Sequence, residues 1–185
     1  ERDCGDLRWI HEPLGDYYGT YRAREKVRRD GKARAIGVSN FYPDRLIDIA
    51  EFNEIKPAIN QVETHVFNQQ REAQDVMRRY GTQIMSWGPF AEGRNGMFTN
   101  DGLVETGRKY GKSAAQVALR FLIQRGIVVI PKSTHVERMR ENFDIFDFEL
   151  STSDMDALAA LDEKRSQFFS HYDPSTVDFL INYSR

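Results

Sequence analysis

The stretch "GIVVIPKSTHVERMREN", residues 126–142, decides the fold, because it joins an apolar strand to a helix that begins among polar groups. Residues 126–133 are almost continuously β-branched and apolar, which is typical of a parallel strand covered on both faces. A helix is predicted to follow, with Thr134 and Glu137 spaced as a capping box. The stretch is therefore one strand-helix unit, and the same order recurs along the chain.

Earlier parts of the sequence repeat this alternation of short apolar runs and helical patterns. The other predicted strands cover 7–12, 33–41, 58–66 and 82–90. Helices are predicted to begin at residue 18, at Pro43, after an N-cap at Asn68, after a capping box of Ser113 with Gln116, and after Ser151. The residues from 164 onward are predicted to form a tail over the domain. Alternation without hairpin signals predicts a parallel sheet with helices outside it. It does not distinguish a barrel from a doubly wound sheet.

Composition and charge are those of an ordinary globular protein. The chain has 185 residues and a formal net charge of −2, so nothing in the overall charge favours nucleic acid or an anionic membrane. The basic run 25–34 lacks interleaved aromatic residues and reads as a solvated helix end. Cys4 is the only cysteine, and we find neither an 18-residue apolar run nor a signal-peptide pattern. A cytoplasmic protein is the resulting expectation.

Polar groups follow the last apolar strand in a pattern suited to an anion. Lys132 and Ser133 arrive from the strand, and Arg138 lies about one turn into the next helix. The free N–H groups of a helix start also favour negative charge. Residue types alone leave two interpretations equally open, a phosphate site or a capped helix with a solvated charged face. No G-x-G-x-x-G follows any strand, which counts against an ordinary Rossmann site.

Several motifs together resemble the aldo-keto reductase family. They are "IHEP" (10–13), "GVSNF" (37–41), "INQVE" (59–63), "SWGPFAEG" (86–93) and the block beginning "IPKS" at 130. The similarity is greatest to bacterial members that resemble 2,5-diketo-gluconate reductases and aldehyde reductases. It implies an α/β fold of the (β/α)8 TIM-barrel type, with only the last five βα units and the C-terminal tail in this chain. Residues 1–185 would then be a single, N-terminally incomplete domain.

The resemblance also implies NADP(H), bound in extended form, and a small-molecule carbonyl substrate. Three residues match the family's grip on the 2′-phosphate: Lys132, Ser133 and Arg138. Thr134 is a neighbouring cofactor-loop position, and Glu141 and Asn142 match the adenine contacts. Ser39, Asn40 and Gln61 match the ligands of the nicotinamide carboxamide, while Trp87 matches the ring that stacks on the nicotinamide. Gly88, Pro89 and Phe90 open a loop, through Gly96, that resembles the segment closing over the pyrophosphate.

His11 matches the histidine of the family's catalytic tetrad of Asp, Tyr, Lys and His. By this resemblance hydride passes to a carbonyl carbon, the tyrosine supplies the proton, and a neutral imidazole orients the carbonyl oxygen. The matching units for Asp, Tyr and Lys are absent, and no segment before Leu7 is expected to supply them. Tyr17, Tyr18 and Tyr21 follow the His11 strand, so none of them is assigned as the proton donor.

The sequence also allows functions other than a reductase. The chain is alternatively a catalytically inactive, truncated homologue that serves as a cofactor-binding or protein-interaction module. Glu63 and His65 share one strand face, and with His11 they suggest a metal-dependent barrel hydrolase, which is the less favoured alternative. No third histidine or cysteine lies at a ligand spacing, so no metal is assigned. His135 and His171 are expected at the surface or in loops. The edges of an open sheet predict self-association.

Overall fold

The computed structural model describes residues 5–183, so Cys4 lies outside the described part. Within that part, strands alternate with helices in the predicted order. The strands are β1 Gly5–Ile10, β2 Ala33–Ser39, β3 Ile59–Glu63, β4 Gln83–Trp87 and β5 Val128–Val129. The helices are α1 Tyr17–Arg29, α2 Pro43–Glu51, α3 Arg71–Tyr80, α4 Asp101–Tyr110, α5 Ala114–Gln124, α6 Val136–Phe143, α7 Thr152–Ala159 and α8 Pro174–Tyr183. No helix among the described residues is long and apolar enough to cross a membrane.

The sheet settles the choice between a barrel and a doubly wound sheet that the sequence left open. All five strands are parallel and lie side by side in chain order, β1-β2-β3-β4-β5. A doubly wound sheet reverses its strand order at a switch point, whereas successive barrel strands are always neighbours. The described residues therefore form five successive units of a barrel wall, and the predicted fold class is confirmed.

Close packing between neighbouring strands explains the glycine of "GVSNF". A Cβ atom at Gly37 would lie 2.6 Å from the Ile59 side chain and 2.8 Å from its backbone oxygen. Only glycine fits between β2 and β3 at this point, since atoms cannot approach that closely. Beneath the helices, β2 contributes the buried side chains of Ile36 and Val38 to one continuous core.

Both outer strands differ from the prediction that every strand is covered on both faces. In β1, Arg8 and Trp9 are exposed. The strand predicted over 126–133 is only two residues long, and Val128 and Ile130 keep 42% and 47% of their surface exposed. These strands lie at the edges of the sheet, where each has a neighbour on one side only within residues 5–183. Self-association through these edges stays a prediction.

Helix starts were predicted with mixed success. Ser113 and Gln116 form the expected capping box, with hydrogen bonds of 3.3 and 3.0 Å, and Ser151 caps α7. The Thr134 box is wrong: α6 begins after His135, whose N–H is bound by the Ser133 hydroxyl at 3.1 Å. Asn68 is not an N-cap either, because its backbone pairs with His65 and α3 begins two residues later than expected.

Candidate functional site

One cavity collects the polar residues that follow the last strand. It has a volume of about 600 Å³ and lies between the start of α6 and the start of α5. Six residues predicted from the sequence line it: Lys132, Ser133, Thr134, Arg138, Glu141 and Asn142. Phe90, from the loop after β4, forms part of its wall. The segment thus directs its polar side chains into a shared space, as a ligand site requires.

Charge in this cavity is predominantly positive. Lys132 and Arg138 are exposed, and within residues 5–183 neither has an ion-pair or hydrogen-bond partner. The Glu141 carboxylate accepts a hydrogen bond from the Ser113 hydroxyl, which holds it on the α5 side. The N-terminal end of α6 adds backbone N–H groups beside the two cations. An ammonium, a guanidinium and a helix start together favour a phosphate group.

A second group of predicted residues meets at the ends of β2, β3 and β4. The Ser39 hydroxyl donates to the backbone oxygen of Gln61 at 2.9 Å, and the Asn40 N–H donates to that same oxygen at 2.9 Å. The Asn40 side-chain oxygen accepts from the Trp87 indole N–H at 2.8 Å. Gln61 donates to the Met85 sulfur at 3.3 Å. These side chains are largely buried, so their mutual hydrogen bonds fix their positions.

Asn40 owes its position to an uncommon backbone conformation. Its φ is 58°, in the left-handed region that asparagine tolerates better than most residues. The chain therefore turns sharply as soon as β2 ends, and the side chain is directed along the edge of the sheet toward Trp87. A glycine would adopt this turn but would contribute no amide.

The loop after β4 connects the two groups. Gly88 has a φ of 62°, which turns the chain away from Trp87. Pro89 then leads to Phe90, in the wall of the 600 Å³ cavity at the start of α6, which we call the phosphate-type cavity. Further on, Arg94 donates to the Gln167 backbone oxygen at 2.6 Å. Its guanidinium also lies 4.3 Å from the centre of the Phe168 ring. The loop is thereby held by the C-terminal segment.

The chain is similar in sequence and in structure to known oxidoreductases. The profile of the Aldo/keto reductase family matches residues 1–163. The chain belongs to this family. Glyoxal reductase of Bacillus subtilis is 46% identical over 162 residues, covering 87% of this chain and 58% of the relative. An aldo-keto reductase from a Medee basin deep-sea metagenome library superposes with a TM-score of 0.88 at 37% identity, covering 91% of this chain and 63% of the other.

Cofactor complexes exist among the solved structures of this aldo-keto reductase family. An enzyme of the silkworm Bombyx mori in complex with NADP superposes with a TM-score of 0.82 at 32% identity. That match covers 88% of this chain and 59% of the silkworm protein. The chain therefore spans less than two thirds of the length of these relatives.

His11, the predicted tetrad residue, follows β1 directly and is exposed. It does not line the phosphate-type cavity. It does not line a second cavity either, of about 790 Å³, which lies beside Trp87. The residue before it, Ile10, is buried and pairs with Val38 of β2. His11 therefore lies at the correct end of its strand, and its catalytic role stays a prediction.

Glu63 and His65 form a buried hydrogen-bonded pair that contacts the tail. The His65 Nε2 lies 2.9 Å from a Glu63 carboxylate oxygen, and the Ser166 hydroxyl and the Gln167 N–H donate to the same carboxylate. Burial would raise the pKa of Glu63, but the hydrogen bonds from His65, Ser166 and Gln167 outweigh it and lower that pKa. In the described residues no group of three His, Cys, Asp or Glu side chains could hold a metal ion.

Two residues that the sequence did not indicate also belong to this region. His171, expected at the surface or in a loop, lies in a turn but is only 7% exposed, and its Nε2 lies 2.6 Å from an oxygen of Glu12. The other Glu12 oxygen accepts from the Asn40 amide at 3.3 Å. His171 and Trp87 also line a cavity of about 790 Å³ under the C-terminal segment. No sequence signal joins residues 12 and 171, because their separation of 159 positions hides the contact.

Proposed function

We propose that this chain provides the cofactor-binding part of an NADP(H)-dependent oxidoreductase that reduces aldehydes and ketones to alcohols. The observation that carries the proposal is the convergence of Lys132, Arg138 and four polar neighbours on one cavity. Two exposed cations beside a helix start suit a dianionic phosphate monoester. NADPH carries such a group on its 2′-oxygen and NADH does not.

The residues present fit the two ends of an extended dinucleotide. Lys132 and Arg138 would hold the 2′-phosphate, and Glu141 and Asn142 would contact the adenine. At the other end Ser39, Asn40 and Gln61 would bind the carboxamide, since amide and hydroxyl side chains offer both donors and acceptors.

Catalysis would take place at the Trp87 end of the sheet. Trp87 would support one face of the nicotinamide ring and so fix the direction from which a carbonyl compound approaches. The bound cofactor would supply the hydride, and the tyrosine of the family's tetrad, to which no residue of this chain has been assigned, would supply the proton. By its position at the end of β1, His11 would orient the carbonyl oxygen. The cytoplasm is the proposed location, since a single cysteine forms no internal disulfide.

The test is a comparison of NADPH and NADH binding to the unmodified chain and to Lys132→Met. We expect the substitution to weaken NADPH binding about 10- to 100-fold, because one charge-assisted contact to the 2′-phosphate is lost. NADH binding should change less than about twofold. Arg140→Met is the matched control, because Arg140 is a cation of the same α6 region that lines a different cavity. Equal losses for NADPH and NADH would refute the phosphate assignment.

A cofactor-binding module without turnover is the second candidate. It is favoured by the position of His11, which is exposed and apart from both described cavities. Consumption of NADPH in the presence of glyoxal or a nitrobenzaldehyde discriminates the candidates, and glyoxal is chosen because the Bacillus relative is a glyoxal reductase. Turnover that His11→Asn abolishes supports the reductase. Binding of NADPH without turnover supports the module.

A further inference from the structure

Four side chains from distant parts of the sequence form a continuous hydrogen-bonded chain. His171 Nε2 meets Glu12 Oε2 at 2.6 Å, and Glu12 Oε1 accepts from Asn40 Nδ2 at 3.3 Å. Asn40 Oδ1 then accepts from Trp87 Nε1 at 2.8 Å. The chain links the C-terminal segment to two residues of the proposed nicotinamide end. Neither the family match nor the resemblance in the sequence assigns a role to Glu12 or His171.

The chemistry of the carboxylate fixes the orientation of the Asn40 amide. An ionised carboxylate only accepts hydrogen bonds and the Trp87 indole only donates. The amide must therefore direct its nitrogen to Glu12 and its oxygen to Trp87. One N–H and one lone pair of the amide are left over. These are the groups with which an amide ligand is bound.

His171 holds Glu12 and the aromatic rings of the tail in place. Its ring packs edge-on against Tyr42 at 5.7 Å and lies 5.3 Å from the Phe169 ring. Phe169 in turn stacks on Trp87 at 6.2 Å with an angle of 26° between the rings. His171 thus contacts the Glu12 carboxylate on one side and the Phe169 ring on the other.

We propose that Glu12 is a positioning residue for the nicotinamide end, and that its hydrogen bond with His171 couples the C-terminal segment to that end. Glu12 orients the amide of Asn40, and Asn40 with Trp87 then receives the carboxamide and ring of the cofactor. The inference rests on the proposed function, because it needs Asn40 to be a cofactor ligand.

The experiment compares two ligands that share the adenosine end. NADPH reaches both ends of the site, whereas adenosine 2′,5′-bisphosphate reaches only Lys132 and its neighbours. Dissociation constants of both are measured by calorimetry on the full chain and on Glu12→Gln, whose amide can present either a donor or an acceptor to Asn40. We expect Glu12→Gln to weaken NADPH binding about 3- to 10-fold and to change bisphosphate binding less than about twofold.

Two further variants separate positioning from packing. His171→Phe keeps an aromatic ring against Tyr42 and Phe169 but removes the hydrogen bond to Glu12. It should weaken NADPH binding in the same selective way. Glu54→Gln is the matched control, since it neutralises an exposed carboxylate that pairs with Arg29. It should leave both affinities unchanged.

Each result decides between distinct conclusions. An unchanged NADPH affinity in Glu12→Gln overturns the inference and leaves the proposed function intact. Equal losses for both ligands overturn it as well, because they indicate a general structural role. If neither ligand binds the unmodified chain, the proposed function fails, and the inference fails with it before any variant is compared.

Discussion

The two ends of the proposed cofactor site are built in opposite ways. The adenosine end, formed by residues 132–142, comes from one short segment whose two cations are exposed and have no partner within residues 5–183. The nicotinamide end, formed by Ser39, Asn40, Gln61 and Trp87, comes from three strands and is buried or half-buried. Its residues are already bonded to one another and, through Glu12, to the tail. Glu63, which pairs with Trp87 in the sheet, also binds the tail.

This difference follows from what each end has to recognise. A phosphate is bound by charge, and exposed cations on flexible stems bind it well because both partners are ionised. An amide is neutral and competes with water, so the donors and acceptors that recognise it must be buried and already in position. Substitutions at the adenosine end should therefore change affinity alone. Substitutions around the nicotinamide end should also change the free energy of unfolding.

The largest effect is expected at Glu63, which lies two residues after Gln61. Glu63→Ala leaves the buried His65 Nε2 without its hydrogen-bond partner and removes the acceptor for Ser166 and Gln167. A buried donor that loses its acceptor costs about 1–3 kcal/mol, and three donors lose their acceptor in this variant. Urea unfolding of the variant and of the unmodified chain measures this loss.

Glu137→Ala is the control for Glu63→Ala. Glu137 is exposed on α6 and lies 3.5 Å from His135, so the loss there should be under about 0.5 kcal/mol. Equal losses in the two variants would show that the tail contact does not stabilise the nicotinamide end.

Acid should act on the same pair. The hydrogen bonds of Glu63 lower its pKa below the ordinary value of 4.5. A lowered pKa in the folded state means that the stabilisation is complete above that ordinary value and is lost as the pH falls through the lowered one. Unfolding free energies between about pH 7 and pH 3 should decline less in Glu63→Gln than in the unmodified chain. Parallel declines in both proteins would contradict this assignment.

The same contrast explains how much the sequence could predict. That Lys132, Arg138 and Asn142 lie close together was predictable, since they belong to a single strand-helix unit. Their role in binding the adenosine end of a cofactor follows only from the family resemblance and stays a prediction. The position of each of them on the segment fixes its direction in space. Parallel strands, their order of alternation and the caps at Ser113 and Ser151 were predictable for the same reason.

Contacts between distant residues were beyond prediction. The Glu12 and His171 pair depends on how the tail crosses the sheet, which no local pattern records. The exposure of β1 and β5 depends on which strands lie at an edge, and periodicity reports only which residues are apolar. At Thr134 the local rule itself failed, because α6 begins one residue later, with His135 as its N-cap, and the Ser133 hydroxyl accepts the hydrogen bond of the His135 N–H.

Arg138 gives the next largest effect and tests the independence of the two ends. Arg138→Ala removes an unpaired, exposed guanidinium from the phosphate-type cavity. NADPH affinity should fall about 10- to 100-fold. The free energy of unfolding should change by less than about 0.5 kcal/mol. Calorimetry and urea unfolding on the same preparation provide both values.

Arg140→Ala is the control for Arg138→Ala. It removes a cation from the same helix, but its side chain lines a different cavity. NADPH affinity should therefore stay within about twofold. If Arg138→Ala lowers the free energy of unfolding as much as it lowers the free energy of NADPH binding, the adenosine end does not bind its ligand independently of the rest of the fold.

The smallest effect is expected where the adenosine end does have an internal contact. Ser113 caps α5 and also donates to the Glu141 carboxylate, which is proposed to contact the adenine. Ser151 caps α7 in the same way but does not contact the cavity. Each serine-to-alanine change should cost about 1 kcal/mol of stability through the lost cap. Only Ser113→Ala also releases Glu141.

NADPH titration of the two cap variants therefore isolates one contact. Ser113→Ala should weaken NADPH binding about threefold, because the freed carboxylate loses its fixed orientation, while Ser151→Ala should leave it unchanged. The shared cap loss cancels between the variants, so any difference in affinity comes from the Ser113 to Glu141 hydrogen bond. If the two variants bind NADPH equally, the adenosine end binds by charge alone. The two ends then differ further, because only the nicotinamide end depends on side chains held in place by hydrogen bonds.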